Sequence, residues 1–270
     1  MNLIKKVLTL ICTCLLIVGC QPKESADNQI TIGTSPGPYS QLFLDGVKPI
    51  LEKQGYYIKQ IDFSDLLQAD MALQQGSIDL NVDQHTAYMN DFNQNKKAEL
   101  VSLTHIPTVP TAIYSSKHHN LQGLTKGSKI AVPNDPSNAA RAYRLLAKAG
   151  WLTMKPINNT SIVSKNDIQS NPYQLDIIEM DSANIPRTLN DFDYSVIPGS
   201  RAYAAKLDPK QALMNEDIIP EYELIVAVKA QNRSKPWAKA IVDAYHSEEF
   251  KQYIKQHNSE NYWYLPNNKN

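Results

Sequence analysis

The chain has 270 residues, with 27 basic and 27 acidic side chains and a formal net charge of zero. That length supports one large domain or two smaller α/β lobes, each with its own core. Balanced charge excludes general nucleic-acid affinity, which needs a basic face. Beyond the N-terminus no stretch is long and apolar enough to span a bilayer.

Lys5 and Lys6 precede an apolar run from Val7 to Val18, followed by Gly19-Cys20. This is the layout of a secretory signal peptide over residues 1–19, removed on export. Ile17-Val18-Gly19-Cys20 is similar to a bacterial lipobox, in which Cys20 becomes the acylated first residue, carrying a chain such as palmitate. Lipid there would tether the body to a membrane, with residues 20–29 as a polar leash. Cys12 and Cys14 lie in the removed segment, so the mature chain keeps one cysteine and can build neither a disulfide framework nor a thiolate metal site.

Ile30–Thr34 reads as a strand ended by Ser35-Pro36-Gly37-Pro38, and a helix follows from Tyr39 to Gln54. Tyr57–Ile61 is a second strand, a helix runs to Gln75, and Ile78–Val82 is a third strand leading into Gln84-His85 and a helix carrying Tyr88, Met89 and Phe92. This β-α-β-α-β-α order predicts a parallel sheet with helices on both faces. Strands return at Leu100–Leu103 and Thr111–Ser115, and Lys129–Val132 opens a second α/β series. The stretch from Asn158 to Pro172 is polar and reads as loop. Leu175–Glu179 and Tyr194–Ile197 are strands, with short helices over Ala183–Asn190 and Ser200–Leu207. A strand from Glu223 to Lys229 and one amphipathic helix from Pro236 to His257 complete the chain.

The segment Lys129–Arg141 carries the most chemistry. A buried strand meets a polar turn, then a helix with Asp135 as N-cap, Pro136 as first residue, apolar Ala139, Ala142, Tyr143 and Leu146 at helical spacing, and Gly150 as left-handed stop. Free N–H groups at such a helix start suit an anion. Arg141 falls opposite that apolar stripe, on the side of Ser137, where it is either a solvated cation or the anchor of a bound carboxylate. Gln84, His85 and Tyr88 also follow a strand and open a helix, where α/β folds place ligand contacts. A histidine there is equally at home as a cap.

There is no G-x-S-x-G elbow, no phosphate-binding glycine loop, and no metal-ligating histidine spacing. No enzymatic activity, cofactor or metal is expected.

Several ordered segments together resemble the methionine-binding lipoproteins of ABC importers, the NlpA/MetQ type. They are Ile130–Asn138 with Arg141; Gly76–Asp79 with Gln84, His85 and Tyr88; Pro110 with Ala112 and Tyr114-Ser115; Asp167-Ile168 with Asn171-Pro172; and Ile185–Arg187 with Leu189, Asp191, Asp193, Val196 and Ile197. The resemblance spans the mature chain. It implies a two-lobed periplasmic-binding-protein fold, each lobe a mostly parallel sheet flanked by helices, with the ligand cleft between lobes. Residues 30–113 plus 223–270 would form the first lobe and 114–222 the second. Arg141 would hold the ligand carboxylate, helped by Asn138 and the turn at Asn134, with His85, Tyr88 and Gln84 lining the cleft.

Where that family has aromatic residues around the methionine side chain, this chain has Asp83, Pro107 and Val109; where it has polar asparagines, this chain has Pro198 and Glu223. Asp83 and Glu223 would make the cleft more acidic. The implied ligand is a small amino acid, more polar or cationic than methionine, or a short peptide. The implied partners are an ABC permease and its ATPase, with the chain acting as a monomer. A surface lipoprotein using the fold for adhesion or signalling is the competing reading, and an exported hydrolase the least favoured.

Overall fold

The computed structural model describes residues 28–156, 163–258 and 262–266. The signal peptide, Cys20, the leash up to residue 27 and part of the polar stretch after Asn158 lie outside the described residues. In chain order, β1 (Gln29–Thr34), β2 (Tyr57–Asp62), β3 (Leu80–His85) and β4 (Leu100–Ile106) alternate with α1 (Pro38–Leu42), α2 (Lys48–Lys53), α3 (Leu66–Gln75) and α4 (Thr86–Lys96). A π-helical turn, Phe43–Val47, joins α1 to α2 where one helix was expected. Then follow β5 (Ala112–Tyr114), β6 (Lys129–Pro133), α5 (Pro136–Lys148), β7 (Thr153–Met154), β8 (Ile168–Ser170), β9 (Asp176–Met180), β10 (Tyr194–Ile197), α6 (Gly199–Ala204) and β11 (Met214–Asn215). β12 (Leu224–Lys229), α7 (Pro236–His246) and α8 (Glu248–His257) close the chain.

Two five-stranded sheets result, ordered β2-β1-β3-β12-β4 and β11-β5-β10-β6-β9. The two-sheet α/β architecture follows expectation, but both sheets are mixed. In the first, β1 pairs parallel with β2 and β3, while β12 runs antiparallel between β3 and β4. In the second, β6 pairs parallel with β9 and β10, while β5 runs antiparallel between β10 and β11. The antiparallel strands are those next to the two crossovers, residues 107–111 and 216–223, where the chain changes sheet without a helical return. Ala112 and Ile113, expected in the first lobe, sit in β5 and pair with β10, so the boundary falls before them.

Strand alternation builds two layers per sheet. In β12, Val226 and Val228 pack with α1, α2, α7 and α8, while Ile225 and Ala227 pack with Leu73 of α3 and Phe92 of α4. Covered on both faces, β12 is a continuous apolar run, as a central strand must be. In the second sheet Ile130 and Val132 meet Tyr143 and Leu146 of α5, whereas Ala131 and Ile197 face Ile185. The final helix breaks at Ser247, whose backbone leaves the helical region and whose Oγ accepts from Phe250 N at 3.1 Å. An internal serine thus ends α7 and caps α8.

The lobes touch where α6 begins. A Cβ built on Gly199 would lie 2.6 Å from the Val109 carbonyl oxygen, a backbone atom of the first crossover that cannot swing away. Gly199→Ala is therefore expected to push α6 off the crossover and cost about 1–3 kcal/mol, read as a lower urea midpoint. An unchanged midpoint would show that the approach is looser than described.

Candidate functional site

Loops leaving the carboxyl ends of β1, β3, β6, β9 and β10 converge on a cavity of about 360 Å³ between the two sheets. Such ends, at the crevice of an open α/β sheet, are where ligands sit. On the second-lobe side α5 starts with its own anion. Asp135 Oδ1 accepts from Asn138 N and Asn138 Nδ2, each at 3.0 Å, and from Ser137 Oγ at 3.1 Å. The helix start expected to hold a ligand anion is thus satisfied by the side chain of its N-cap.

One turn later Arg141 is 3% exposed, neither solvated nor free. The face of α5 opposite its apolar stripe is covered as well, because Ser137, Ala140 and Leu145 are also buried. Glu216, from the second crossover, grips the guanidinium in two places: Nε donates to Oε2 at 3.0 Å and Nη2 to Oε1 in a shorter contact. The paired side chains are 4% and 5% exposed. Nη1 donates to Asn138 Oδ1 at 3.1 Å, and the Tyr222 ring lies 5.4 Å from the guanidinium carbon. Burial pulls the Arg141 pKa downward, but the charge and hydrogen bonds of Glu216 outweigh it and hold the group above its ordinary value. Arg141 lines the cavity and Glu216 does not, so the carboxylate holds the cation from behind.

The sequence profile of the NlpA lipoproteins matches residues 30–264. The chain belongs to the NlpA lipoprotein family. The D-methionine-binding lipoprotein MetQ of Yersinia pestis is 31% identical over 238 residues, 87% of this chain and 88% of its own length. A nutrient-binding protein from Burkholderia cenocepacia, solved bound to methionine, has 36% identity and a TM-score of 0.81, covering 87% of this chain and 99% of its own. The substrate-binding protein of a methionine transporter from Streptococcus pneumoniae is 26% identical with a TM-score of 0.78, covering 88% and 96%. The fold is that of the two-lobed binding proteins of this family.

Seven of the eight side chains expected to bind ligand border the cavity: Asp83, Gln84, His85, Tyr88, Asn134, Asn138 and Arg141. His85 is both cap and wall. Its Nδ1 accepts from Tyr88 N at 3.1 Å, which leaves Nε2 to face Asn138 Oδ1 at 3.4 Å across the lobes. Burial, with the Arg141 charge beside it, lowers its pKa to about 3, so the ring is neutral near pH 7. Gln84 is buried and donates to Asp70 Oδ1 at 2.5 Å, while its own Oε1 has no protein partner among the described residues. Burial raises the Asp70 carboxyl well above the usual range.

Two expectations need correction. Asp83 is not an acid offered to ligand: it accepts from the backbone N and the Oγ of both Ser35 and Ser40, at 2.7–3.1 Å. Burial still raises its pKa, the serine bonds opposing. Glu223 faces away altogether. The next residue, Leu224, borders the cavity, and successive residues of an extended chain point to opposite sides. Glu223 therefore meets His105 Nδ1 and the Tyr264 hydroxyl. Pro198 does border the cavity, whereas Val109 does not and Pro107 is not on its wall.

Glu216, Ser35 and Ser40 were not anticipated. Glu216 lies 75 positions from Arg141, in a segment without periodicity. The only hint was that a buried arginine needs an acid.

Two outcomes follow from these contacts. Glu216→Ala strands a buried cation and is expected to cost about 3–5 kcal/mol. The double variant Arg141→Met, Glu216→Leu should lose markedly less, both read from urea unfolding; equal losses would overturn the pairing. His85 binds a proton in the unfolded chain near pH 6.5 but refuses it in the folded chain until about 3. Its contribution is complete above pH 6.5 and drains away as pH falls toward 3. Asp70 and Asp83, with raised values, act in the opposite sense. His85→Gln should therefore flatten the acid loss of stability by up to about 1.4 kcal/mol per pH unit. An unchanged slope would mean that the ring is open to protons.

Proposed function

We propose that this chain is the substrate-binding component of an ABC importer, taking a small amino-acid ligand into the cleft between its lobes. The observation that carries this is Arg141, buried on the cleft wall with Glu216 behind it. Of the five guanidinium N–H donors, three are engaged by Glu216 and Asn138. The other two, one on each terminal nitrogen, remain for a ligand carboxylate. Relatives carry methionine in their names, and the resemblance of Ile130–Asn138 with Arg141 to that family supports Arg141 as the carboxylate anchor. Its side-chain wall is more polar: Asp83 with its serines stands where the family has an aromatic residue, and Asp65, Asp135 and Asp181 also border the cavity. Asp83 and Asp135 are held by their own hydrogen bonds, but the wall they form with Asp65, Asp181 and Arg201 is polar and suits polar groups on the ligand, so the reading is an amino acid more polar or cationic than methionine, or a short peptide.

In this reading residues up to about 111 and from 223 onward act as one lobe and the intervening residues as the other, closing on ligand by a hinge at the crossovers. Lipid on Cys20 holds the protein at the membrane, where it works as a monomer with a permease and its ATPase. Family membership supports this over an adhesion role.

Thermal-shift screening with the common amino acids and both methionine enantiomers, followed by calorimetry, tests the assignment. A saturable rise in Tm with one or a few amino acids is expected. Arg141→Gln should weaken that binding about 10- to 100-fold. Binding by Arg141→Gln at undiminished affinity would overturn the anchor, and tight binding of methionine alone would overturn the polar-ligand reading.

A further inference from the structure

A second cavity lies beyond the interlobe contact that closes the first. Pro36, Gly37 and Gly199 border both, so the Gly37 turn meeting the start of α6 is a partition with space on each side. The far space measures about 790 Å³, against about 360 Å³ for the cleft. That is within the range of small-molecule sites and ample for a substituted ring.

Its walls have the opposite chemistry to those of the cleft. The rings of Tyr114, Tyr203 and Tyr262 come from β5, α6 and the segment after α8, and so from both sides of the gap. Lys206, Lys210 and His257 border the same space, and no aspartate or glutamate does among the described residues. Asp208 lies between the lining residues Leu207 and Pro209; its carboxylate accepts from the backbone N of Lys210 within its own turn, and its charge adds to burial, the main cause, in raising the Tyr114 pKa. The tyrosines are mutually close: the hydroxyls of Tyr114 and Tyr203 both raise the pKa of Tyr262, after burial, the main cause. Tyr203 is 43% exposed, a large ring left uncovered at the mouth. Aromatic walls with two lysines on the rim, against the one aspartate nearby, favour an anion that carries a flat apolar body.

We propose that this second cavity binds a small aromatic carboxylate, its ring among the three tyrosines and its acid group at Lys206. The proposal is independent of which amino acid fills the cleft. Tyrosine edges and faces give ring contacts worth about 0.5–1.5 kcal/mol each beyond burial. The ammonium gives the charge selection.

The probe is 4-hydroxyphenylacetate, titrated into the full mature chain by calorimetry and ligand-observed NMR, with tyramine as the cation of matching ring. Lys206 has a left-handed backbone, φ +57°, so Lys206→Gly removes the charge at a position glycine adopts without strain. Tyr203→Ala removes an exposed ring. Saturable one-to-one binding of the acid and none of the amine is expected. Each variant should weaken it about tenfold or more, while Arg141→Gln leaves it unchanged. The proposal is overturned by absence of saturable binding at millimolar probe, by equal binding of tyramine, or by binding that survives both variants. Loss on Arg141→Gln alone would place the probe in the first cleft and equally overturn it, while leaving the proposed amino-acid function standing. If residues 20–27 or a second copy fill the space instead, the wild-type chain will fail to bind the probe.

Discussion

The buried pair of Arg141 and Glu216 is the constraint from which the rest of the site follows. Taking both charges out of water is expensive, and the expense is offset only because the geometry is two-pronged and the remaining polar atoms are occupied. Glu216 Oε1 also accepts from Thr111 N at 2.6 Å, and Glu216 N donates to Thr111 O at 2.9 Å. One carboxylate thereby ties the two crossovers to each other and both to α5. The cation facing the cleft is thus fixed where the chain passes between the two sheets.

The other side of the cleft is held more lightly. His85 reaches Asn138 at 3.4 Å, a long contact that opening would break at little cost, while Asn138 keeps its bonds to Asp135 and Arg141. The second lobe therefore carries a cation fixed by several bonds, and the first meets it through one long contact. That asymmetry also explains why the ring of His85 must stay neutral. Protonated, it would stand as a second buried cation beside Arg141 with no acid of its own.

Local chemistry made much of this legible beforehand. The strand, Asp135 cap, Pro136 start and Gly150 stop around α5 are short-range features, and Gly150 indeed takes φ +75°. What depended on distant partners was not legible. Periodicity alone left Arg141 either solvated or buried as an anchor, because it reports one covered face and says nothing of a second lobe arriving on the other. Glu223 was misplaced by a single residue of strand phase, and in extended chain one residue inverts the direction of the side chain. Asp83 read as a free acid because its neutralising serines lie 43 and 48 positions away. The mixed pairing of both sheets was likewise hidden, since β5 and β12 carry no mark of direction in their composition.

Asp83 makes one wall of the cleft polar, and its bonds to Ser35 and Ser40 fix the turn that carries Gly37. Val109 borders the far cavity and sets its carbonyl against Gly199. A bulky ring there would have to fit where even a methyl on Gly199 does not. The small residues along this seam let the lobes meet, and their meeting divides the gap into a polar chamber bordered by aspartates and by Arg141 and Arg201, and a tyrosine-lined chamber rimmed by lysine. The charge of each chamber then decides what it can admit.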